Sequence, residues 1–203
     1  MKVLIACEFS GIVREAFVKR GHDAWSCDII PTEIEGQHIK RDIREVLDWN
    51  WEWDLMIAHP PCTYLTITGN KWFKPEYKDR FPNREEQRKE AIEFFMLLAN
   101  ANINKIAVEN PVGIMSTIWR KPDQIIQPYQ FGHSEPKKTC LWLKNLQLLQ
   151  PTKIIEPEYM ISKSGKRLAK WYYQPSYTPE RTKARSRTFQ GIANAMAEQW
   201  GKE

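Results

Sequence analysis

The sequence predicts an α/β protein built on a mostly parallel β-sheet with helices on both faces. Apolar runs too short for helices recur between residues 2 and 143, and several are separated by segments with helical periodicity. Some of these runs are continuously apolar, as expected for strands covered on both faces. Polar residues and prolines directly follow two of them. Candidate functional groups are therefore expected at the carboxyl ends of strands, where open α/β sheets bind ligands.

The N-terminal segment predicts a strand, a tight turn and a helix. Val3–Ala6 is the strand, Phe9-Ser10-Gly11 is the turn, and the helix pattern ends near Gly21. Unpaired N–H groups at such a helix start can bind a carboxylate or a phosphate. The signal is weak, because many α/β domains begin this way without binding a nucleotide.

Two acids follow the next predicted strands. The second strand, Ala24–Cys27, ends at Asp28, where dinucleotide-type folds place the acid that binds ribose hydroxyls. Asp42 lies near the end of the third strand or in the loop after it. For both acids the alternative is a surface carboxylate or a helix N-cap.

The segment around Cys62 carries the best candidate for chemistry. Asp54–Ala58 is predicted as a buried strand, and Pro60 and Pro61 end it and restrict the backbone that presents Cys62. A thiol on a stiff loop after a strand lies where ligands bind. The alternative is that Cys62 is a small buried apolar side chain, as most free cysteines are.

The pattern of a strand followed by polar residues and proline occurs once more in the rest of the chain. Residues 63–83 form a long aromatic-rich loop, interpreted as a lid over Cys62. A helix is predicted for 84–102, and the strand Lys105–Val108 ends at Glu109-Asn110-Pro111. The runs 125–131 and 139–143 predict a pair of strands joined by the turn 132–138, and the last helix spans Thr188–Trp200.

Composition limits the classes of protein that fit. The 203 residues suit one domain, and no apolar run is long enough to cross a membrane or act as a signal peptide. We therefore expect a cytoplasmic, nucleoid-associated protein. The four cysteines lie far apart without a CxxC pair, which favours neither a metal site nor disulfides. Residues 163–187 hold eight basic residues and one acid, which fits a polyanionic partner or a solvated loop.

Three motifs, taken together and in this order, resemble those of the cytosine-C5 DNA methyltransferases: Phe9-Ser10-Gly11, Pro60-Pro61-Cys62 and Glu109-Asn110-Pro111. The resemblance covers about residues 2–143 and the last helix. It implies a Rossmann-like S-adenosylmethionine-dependent methyltransferase fold whose terminal strand is antiparallel. It also implies a single domain over 1–203, in which 144–187 replaces the larger target-recognition domain of the family.

The resemblance further implies roles for individual residues. Cys62 would attack the pyrimidine ring of cytosine in DNA, and Glu109 would contact its N3 edge. Lys137 and Lys138 lie where the family has an arginine-containing motif, whereas His59 stands where a small residue is common. S-adenosylmethionine would be bordered by Phe9, Ser10, Gly11, Asp28, Asp42 and Pro60. Nucleic acid would be contacted by Asn110, Lys163, Lys166, Arg167, Lys170, Arg185 and Arg187.

Three other functions stay open from the sequence. His59-Pro60-Pro61-Cys62 partly matches the Pro-Pro-aromatic motif of the amino-methyltransferases that act on adenine N6 or cytosine N4. The same C5 chemistry could act on RNA or on a free nucleotide. A catalytically silent nucleic-acid-binding protein on the same scaffold is the third alternative. The small size suits a phage or mobile-element enzyme.

Overall fold

A seven-stranded sheet forms the centre of the molecule. The structure is a computed structural model that describes residues 1–162, 164–170 and 179–202. The strands of the sheet are β1 (Lys2–Ala6), β2 (Asp23–Asp28), β3 (His38–Lys40), β4 (Leu55–Ala58), β5 (Lys105–Pro111), β6 (Gln124–Ile126) and β7 (Thr139–Lys144). Their spatial order is β3-β2-β1-β4-β5-β7-β6.

The pairing confirms the predicted Rossmann-like fold class. Strands β3, β2, β1, β4 and β5 run parallel to one another, and β7 is antiparallel to both β5 and β6. The antiparallel strand is the last in the chain to join the sheet, although it lies between β5 and β6 in space. The strand order reverses between β1 and β4. At such a point, open α/β sheets bind ligands in the crevice outside the carboxyl ends of the strands.

Helices cover both faces of the sheet, as predicted. They are α1 (Ile12–Val18), α2 (Ile43–Leu47), α3 (Arg84–Ala99), α4 (Met115–Ile118), α5 (Pro179–Ser186) and α6 (Gln190–Trp200). One apolar core packs α1 and α6 against side chains such as Ile5, Ile57 and Ala107. The other packs α3 against the opposite side of the same strands, through Leu4, Met56 and Val108. Because every residue of β4 is buried, this strand has the continuous apolar sequence of a two-sided core.

The structure differs from the prediction mainly after residue 144. A two-stranded hairpin of β8 (Tyr159–Ile161) and β9 (Arg167–Ala169) and the helix α5 lie in this segment. Neither has the buried apolar periodicity on which sequence-based prediction depends, because most of their described residues are exposed or half-buried. Helix α3 ends at Ala99, three residues earlier than predicted. Within the described residues, no helix is long and apolar enough to cross a membrane.

Candidate active site

The crevice has two sides, which we name by the strands that end there. The β4–β5 side consists of residues 59–63 and 109–111. The β1–β3 side consists of the turns that follow the first three strands, residues 7–11, 28–37 and 41–42. Both sides lie at the carboxyl edge of the sheet, because all five strands are parallel.

On the β4–β5 side, the strand register brings His59 next to Glu109. Ala58 pairs with Val108, so the next residue of each strand lies on the same face and directly opposite the other. The Nδ1 atom of His59 lies 2.9 Å from Oε2 of Glu109. Both side chains are mostly buried, with exposed fractions of 9% and 17%. The sequence did not predict this pair.

Asn110 fixes the double-proline turn to β5. Its side chain is 2% exposed, and Nδ2 donates a hydrogen bond of 2.8 Å to the carbonyl oxygen of Pro60. The carbonyl of Cys62 then accepts hydrogen bonds from the backbone N–H groups of Leu65 and Thr66. These contacts hold the cysteine-bearing turn against the end of β5.

Electrostatic interactions couple the thiol to the carboxyl group. Burial and the charge of Glu109 raise the pKa of the half-buried Cys62, while Lys137 and Arg185 act in the opposite direction. Burial disfavours the ionised form of Glu109, but the hydrogen bond from His59 and the charges of His59 and Lys137 outweigh it, so the pKa of Glu109 is lowered. In the structure as described, the thiol is therefore protonated and the carboxyl group ionised at neutral pH.

The two predicted lysines are not equivalent. Lys137 is half-buried, its charge acts on both Cys62 and Glu109, and its Nζ donates to the carbonyl of Arg185 at 3.0 Å. Lys138 is exposed. Neighbouring residues in extended chain point in opposite directions, so one of two consecutive lysines faces the site. Helix α5 brings Arg185 into the same region from a distant part of the sequence.

On the β1–β3 side, the expectation of free N–H groups at the start of α1 is wrong. Glu8 is 4% exposed, and its carboxylate accepts hydrogen bonds from the backbone N–H of Val13 at 2.7 Å and of Arg14 at 3.2 Å. The hydroxyl of Ser10 donates to the same carboxylate and accepts from the N–H of Ile12. An internal anion thus already binds the N-terminus of this seven-residue helix.

Arg14 holds the loop after β2 in place. Its side chain is fully buried and donates to the hydroxyl of Ser26 and to the carbonyl oxygens of Ile34 and Glu35. Gly11 has a left-handed φ of 74°, and a Cβ there would lie 2.8 Å from the Arg14 guanidinium. A glycine is required here because the turn and the guanidinium pack so closely.

The acids at the ends of β2 and β3 have different surroundings. Asp28 is half-buried and accepts a hydrogen bond from the N–H of Ile30, and burial raises its pKa although the backbone N–H groups of Ile30 and Ile29 act in the opposite direction. Asp42 is the N-cap of α2, and its carboxylate is bonded to the N–H and the guanidinium of Arg44. The N-cap alternative for Asp42 is therefore realised, while the carboxylate of Asp28 interacts with backbone N–H groups and with no side-chain donor among the described residues.

These residues fit S-adenosylmethionine in part. Asp28 offers a carboxyl group for vicinal hydroxyls, and half-buried Phe9, in the turn after β1, offers an aromatic surface. The Ser10 side chain is committed to Glu8, and Pro60 is buried with its carbonyl bonded to Asn110. Within residues 1–162, 164–170 and 179–202, no group of His, Cys, Asp or Glu is placed to hold a metal ion.

Several residues of the basic segment have acidic or aromatic neighbours. Arg187 makes two hydrogen bonds to Glu33, at 2.7 and 2.8 Å, and Lys183 lies 2.8 Å from the same carboxylate. Lys170 pairs with Glu158, the guanidinium of Arg167 lies 4.1 Å from the Tyr159 ring centroid, and Lys166 is exposed. Lys163 lies outside the described residues, as do the aromatic residues of the same basic segment, Trp171, Tyr172, Tyr173 and Tyr177.

The loop after Cys62 is ordered by aromatic and cationic contacts. It contains 3₁₀ turns at Ile67–Phe73 and Pro75–Tyr77, and Trp72 packs edge-on against Tyr77 and Phe81. The Arg88 guanidinium of α3 lies 3.3 Å from the Phe73 ring centroid. The loop is thus packed on α3, and its function as a lid stays a prediction.

Comparison with known proteins gives limited information. No protein-family model and no curated protein matches this chain. One solved structure that it resembles is described as a candidate DNA modification methyltransferase encoded within a prophage of E. coli. The TM-score is 0.48 at 15% sequence identity, and the match covers 76% of this chain and 51% of that one. This chain thus spans about half of that protein's length, and the likeness assigns no residue role.

The sequence did not reveal four residues that organise the crevice. Glu8, Arg14 and His59 follow strands or begin a helix, which is a signal that could have drawn attention to them. Glu33 carries no such signal, because its importance comes from contacts with Lys183 of α5 and with Arg187 just after α5, which is 154 residues away in the chain.

Proposed function

We propose that this protein transfers a methyl group from S-adenosylmethionine to C5 of cytosine in DNA, through a covalent bond between Cys62 and the base. One observation carries the proposal. Cys62 follows β4, Glu109 lies near the carboxyl end of the adjacent parallel strand β5, and the charge of Glu109 acts on the thiol while the charge of Lys137 acts on both groups. Attack on a pyrimidine ring requires a nucleophile and a proton donor held together in this way.

The chemistry explains the residue types. Cytosine C5 is a weak nucleophile, and addition of the Cys62 thiolate to C6 converts the ring into an enamine-like nucleophile. Glu109 in its protonated form would hydrogen-bond N3 and neutralise the negative charge that builds there. When bound, S-adenosylmethionine supplies an electrophilic methyl group. Loss of the C5 proton and cleavage of the sulfur–C6 bond then restore the aromatic base and free Cys62.

A shift of one proton links the two groups. At rest the thiol holds the proton and Glu109 is ionised, whereas reaction requires a thiolate and a protonated carboxyl group. Moving the proton from Cys62 to Glu109 produces both reactive forms with no change in net charge. It also removes the anionic neighbour that raises the pKa of Cys62. Lys137 stabilises the thiolate that results.

Phe9, Gly11 and Asp28 are the residues we propose for S-adenosylmethionine. Asp28 would accept hydrogen bonds from the ribose hydroxyls, and Phe9 would contact the cofactor with its ring. Asp42 would reach the adenine only by sharing the carboxylate that now caps α2. Ser10 and Pro60 would border the cofactor. Their hydrogen bonds to Glu8 and Asn110 would at the same time hold the turns of the crevice in place.

DNA is the proposed partner because cations lie beside the crevice. Arg185 and Lys137 flank Cys62, and a target base inside a duplex would have to flip out to reach it. Asn110 would border the flipped base. The other proposed contacts to the backbone are Lys163, Lys166, Arg167, Lys170 and Arg187, with Lys138 beside them. The remaining proposals are a single domain, with 144–187 as a reduced recognition segment, and a cytoplasmic location.

The test is to incubate the purified protein with S-adenosylmethionine and unmethylated DNA and identify modified nucleosides by mass spectrometry. We expect 5-methylcytosine from the natural protein and none from Cys62→Ala. N4-methylcytosine or N6-methyladenine would assign the site to an amino-methyltransferase. A product found only with RNA or a free nucleotide would change the substrate, and no product with any of them would favour a silent binding protein.

A further inference from the structure

The His59–Glu109 pair is enclosed and directional. The carboxylate of Glu109 can only accept, so the hydrogen bond requires a proton on Nδ1 of His59. Nε2, the other ring nitrogen, is buried and has no hydrogen-bond partner among the described residues. The one hydrogen bond that the His59 side chain makes among the described residues is therefore the bond to Oε2 of Glu109.

Four side chains interact electrostatically with the carboxyl group of Glu109. They are His59 after β4, Cys62 on the following turn, Lys137 between β6 and β7, and Cys140 on β7, whose pKa Glu109 helps to raise. Among the described residues, His59 is the one that donates a hydrogen bond to the Glu109 side chain. It reaches Oε2, and no described residue donates to Oε1.

We propose that His59 is a positioning residue for the methyl transfer, which holds Glu109 through Oε2 and leaves Oε1 for the N3 edge of the target cytosine. This inference rests on the proposed function. A carboxyl group anchored by one oxygen presents the other in a defined orientation, as a carboxylate or imidazole oriented by a neighbour does in other active sites. The Nδ1–H group also stabilises the carboxylate that remains after a proton passes to N3, which makes Glu109 a stronger acid.

The direct test measures the ionisation of Glu109 in the protein alone. The carboxyl carbon of Glu109, assigned by its loss in Glu109→Gln, is followed by NMR as pH is varied. His59→Phe keeps a ring of similar size but removes the donor, and we expect the Glu109 transition to move up by about one pH unit or more. His59→Asn keeps an N–H donor without an ionisable ring, so we expect a smaller upward shift.

The kinetic test distinguishes a positioning role from a structural one. In His59→Phe we expect kcat/KM for DNA methylation to fall about tenfold or more at neutral pH, because the carboxyl group is no longer oriented. Glu109 takes up a proton at higher pH in this variant, so the acid limb of the pH profile, below which the thiol and the carboxyl group are both protonated, should move upward. His59→Asn should retain a larger part of the activity, and it serves as the test variant if His59→Phe does not fold.

Failure of the proposed role of His59 can be distinguished from failure of the proposed function. If the natural protein makes 5-methylcytosine while His59→Phe, or His59→Asn in its place, keeps the same Glu109 transition and pH profile, the role of His59 is wrong and the proposed function stands. If the natural protein modifies no cytosine at C5, the proposed function is wrong, and the role of His59 falls with it whatever the titration shows.

Discussion

The two sides of the crevice differ in how completely their polar groups are satisfied. On the β1–β3 side, Glu8 and Arg14 are buried and bonded to backbone and side-chain partners throughout. On the β4–β5 side, Nε2 of His59 and Oδ1 of Asn110 are buried without a hydrogen-bond partner among the described residues. Native proteins rarely leave such atoms unpaired except where strain or chemistry requires it.

This difference indicates that one side fixes the shape of the site and that the other side carries the groups of the proposed chemistry. Buried, fully bonded charges such as Glu8 and Arg14 hold the turns that form one wall of the crevice. The opposite wall carries the thiol, the carboxyl group and the unpaired atoms. Substitutions on the β1–β3 side should therefore reduce stability, whereas those on the β4–β5 side should reduce activity with smaller effects on stability.

The largest expected effect is the loss of activity in Cys62→Ala. We expect no detectable methyl transfer and a change in the free energy of unfolding below about 0.5 kcal/mol, because the thiol is half-buried and not part of a core cluster. The matched control is Cys140→Ala, in which a fully buried cysteine leaves a small cavity. This variant should keep its activity and lose about 1 kcal/mol of stability in urea unfolding. Equal activity in the two variants would contradict the assignment.

Arg14→Leu is expected to cause the largest loss of stability. The substitution leaves the carbonyl oxygens of Ile34 and Glu35 without their donor, and we expect the free energy of unfolding to fall by about 3 kcal/mol. Urea unfolding measures it. Arg41→Leu removes an arginine whose side chain is 59% exposed, and this control should change stability by less than about 1 kcal/mol. Similar losses of stability in both variants would contradict the stabilising role of the buried Arg14 contacts.

Glu8→Ala tests the internal cap of α1. The backbone N–H groups of Val13 and Arg14 lose their acceptor, which should cost about 1–2 kcal/mol of stability. Glu45→Ala is the control, because Glu45 also lies in the first turn of a helix but its side chain is 54% exposed. We expect a change below about 0.5 kcal/mol there. Both variants are measured by thermal and urea unfolding. A larger loss of stability in Glu45→Ala than in Glu8→Ala would contradict a stabilising role for the Glu8 cap.

The smallest expected effect concerns the attachment of α5. Hydrogen bonds and charges from Arg187 and Lys183 lower the pKa of Glu33 to about 2. A lowered pKa means that the stabilisation is fully present above the ordinary carboxyl value of 4.5 and is lost as pH falls toward about 2. At neutral pH, Glu33→Gln should increase amide hydrogen exchange in residues 183–187 by about fivefold or less. Glu158→Gln, which breaks the pair with Lys170, should leave that exchange unchanged.

The sequence predicts the sheet and the two candidate reactive groups, because both depend on local patterns. Short apolar runs that end in proline locate the strands before Cys62 and Glu109, and the carboxyl ends of parallel strands meet at one edge. The resemblance to cytosine-C5 methyltransferases depends on the same local motifs. These predictions needed no knowledge of contacts between distant residues.

The other features of the site could not be predicted from the sequence, because they depend on contacts between residues that are distant in the chain. His59 meets Glu109 through the register of β4 and β5, which are 50 residues apart in the chain at this point. The error at the start of α1 has the same origin, since Glu8 folds back over the turn onto amides that the sequence leaves apparently free. Arg185 approaches Cys62 from α5, whose polar sequence gives little indication of where the helix lies.

The central claim is the bond between Cys62 and the target base. A DNA duplex that contains 5-fluorocytosine stops the reaction after methyl transfer, because fluorine cannot leave C5 as a proton does. We predict that the natural protein with S-adenosylmethionine forms a denaturant-stable adduct, and that peptide mass spectrometry locates the modified base on Cys62. A protein that methylates cytosine without forming this adduct, or that carries the base on another residue, would contradict the account.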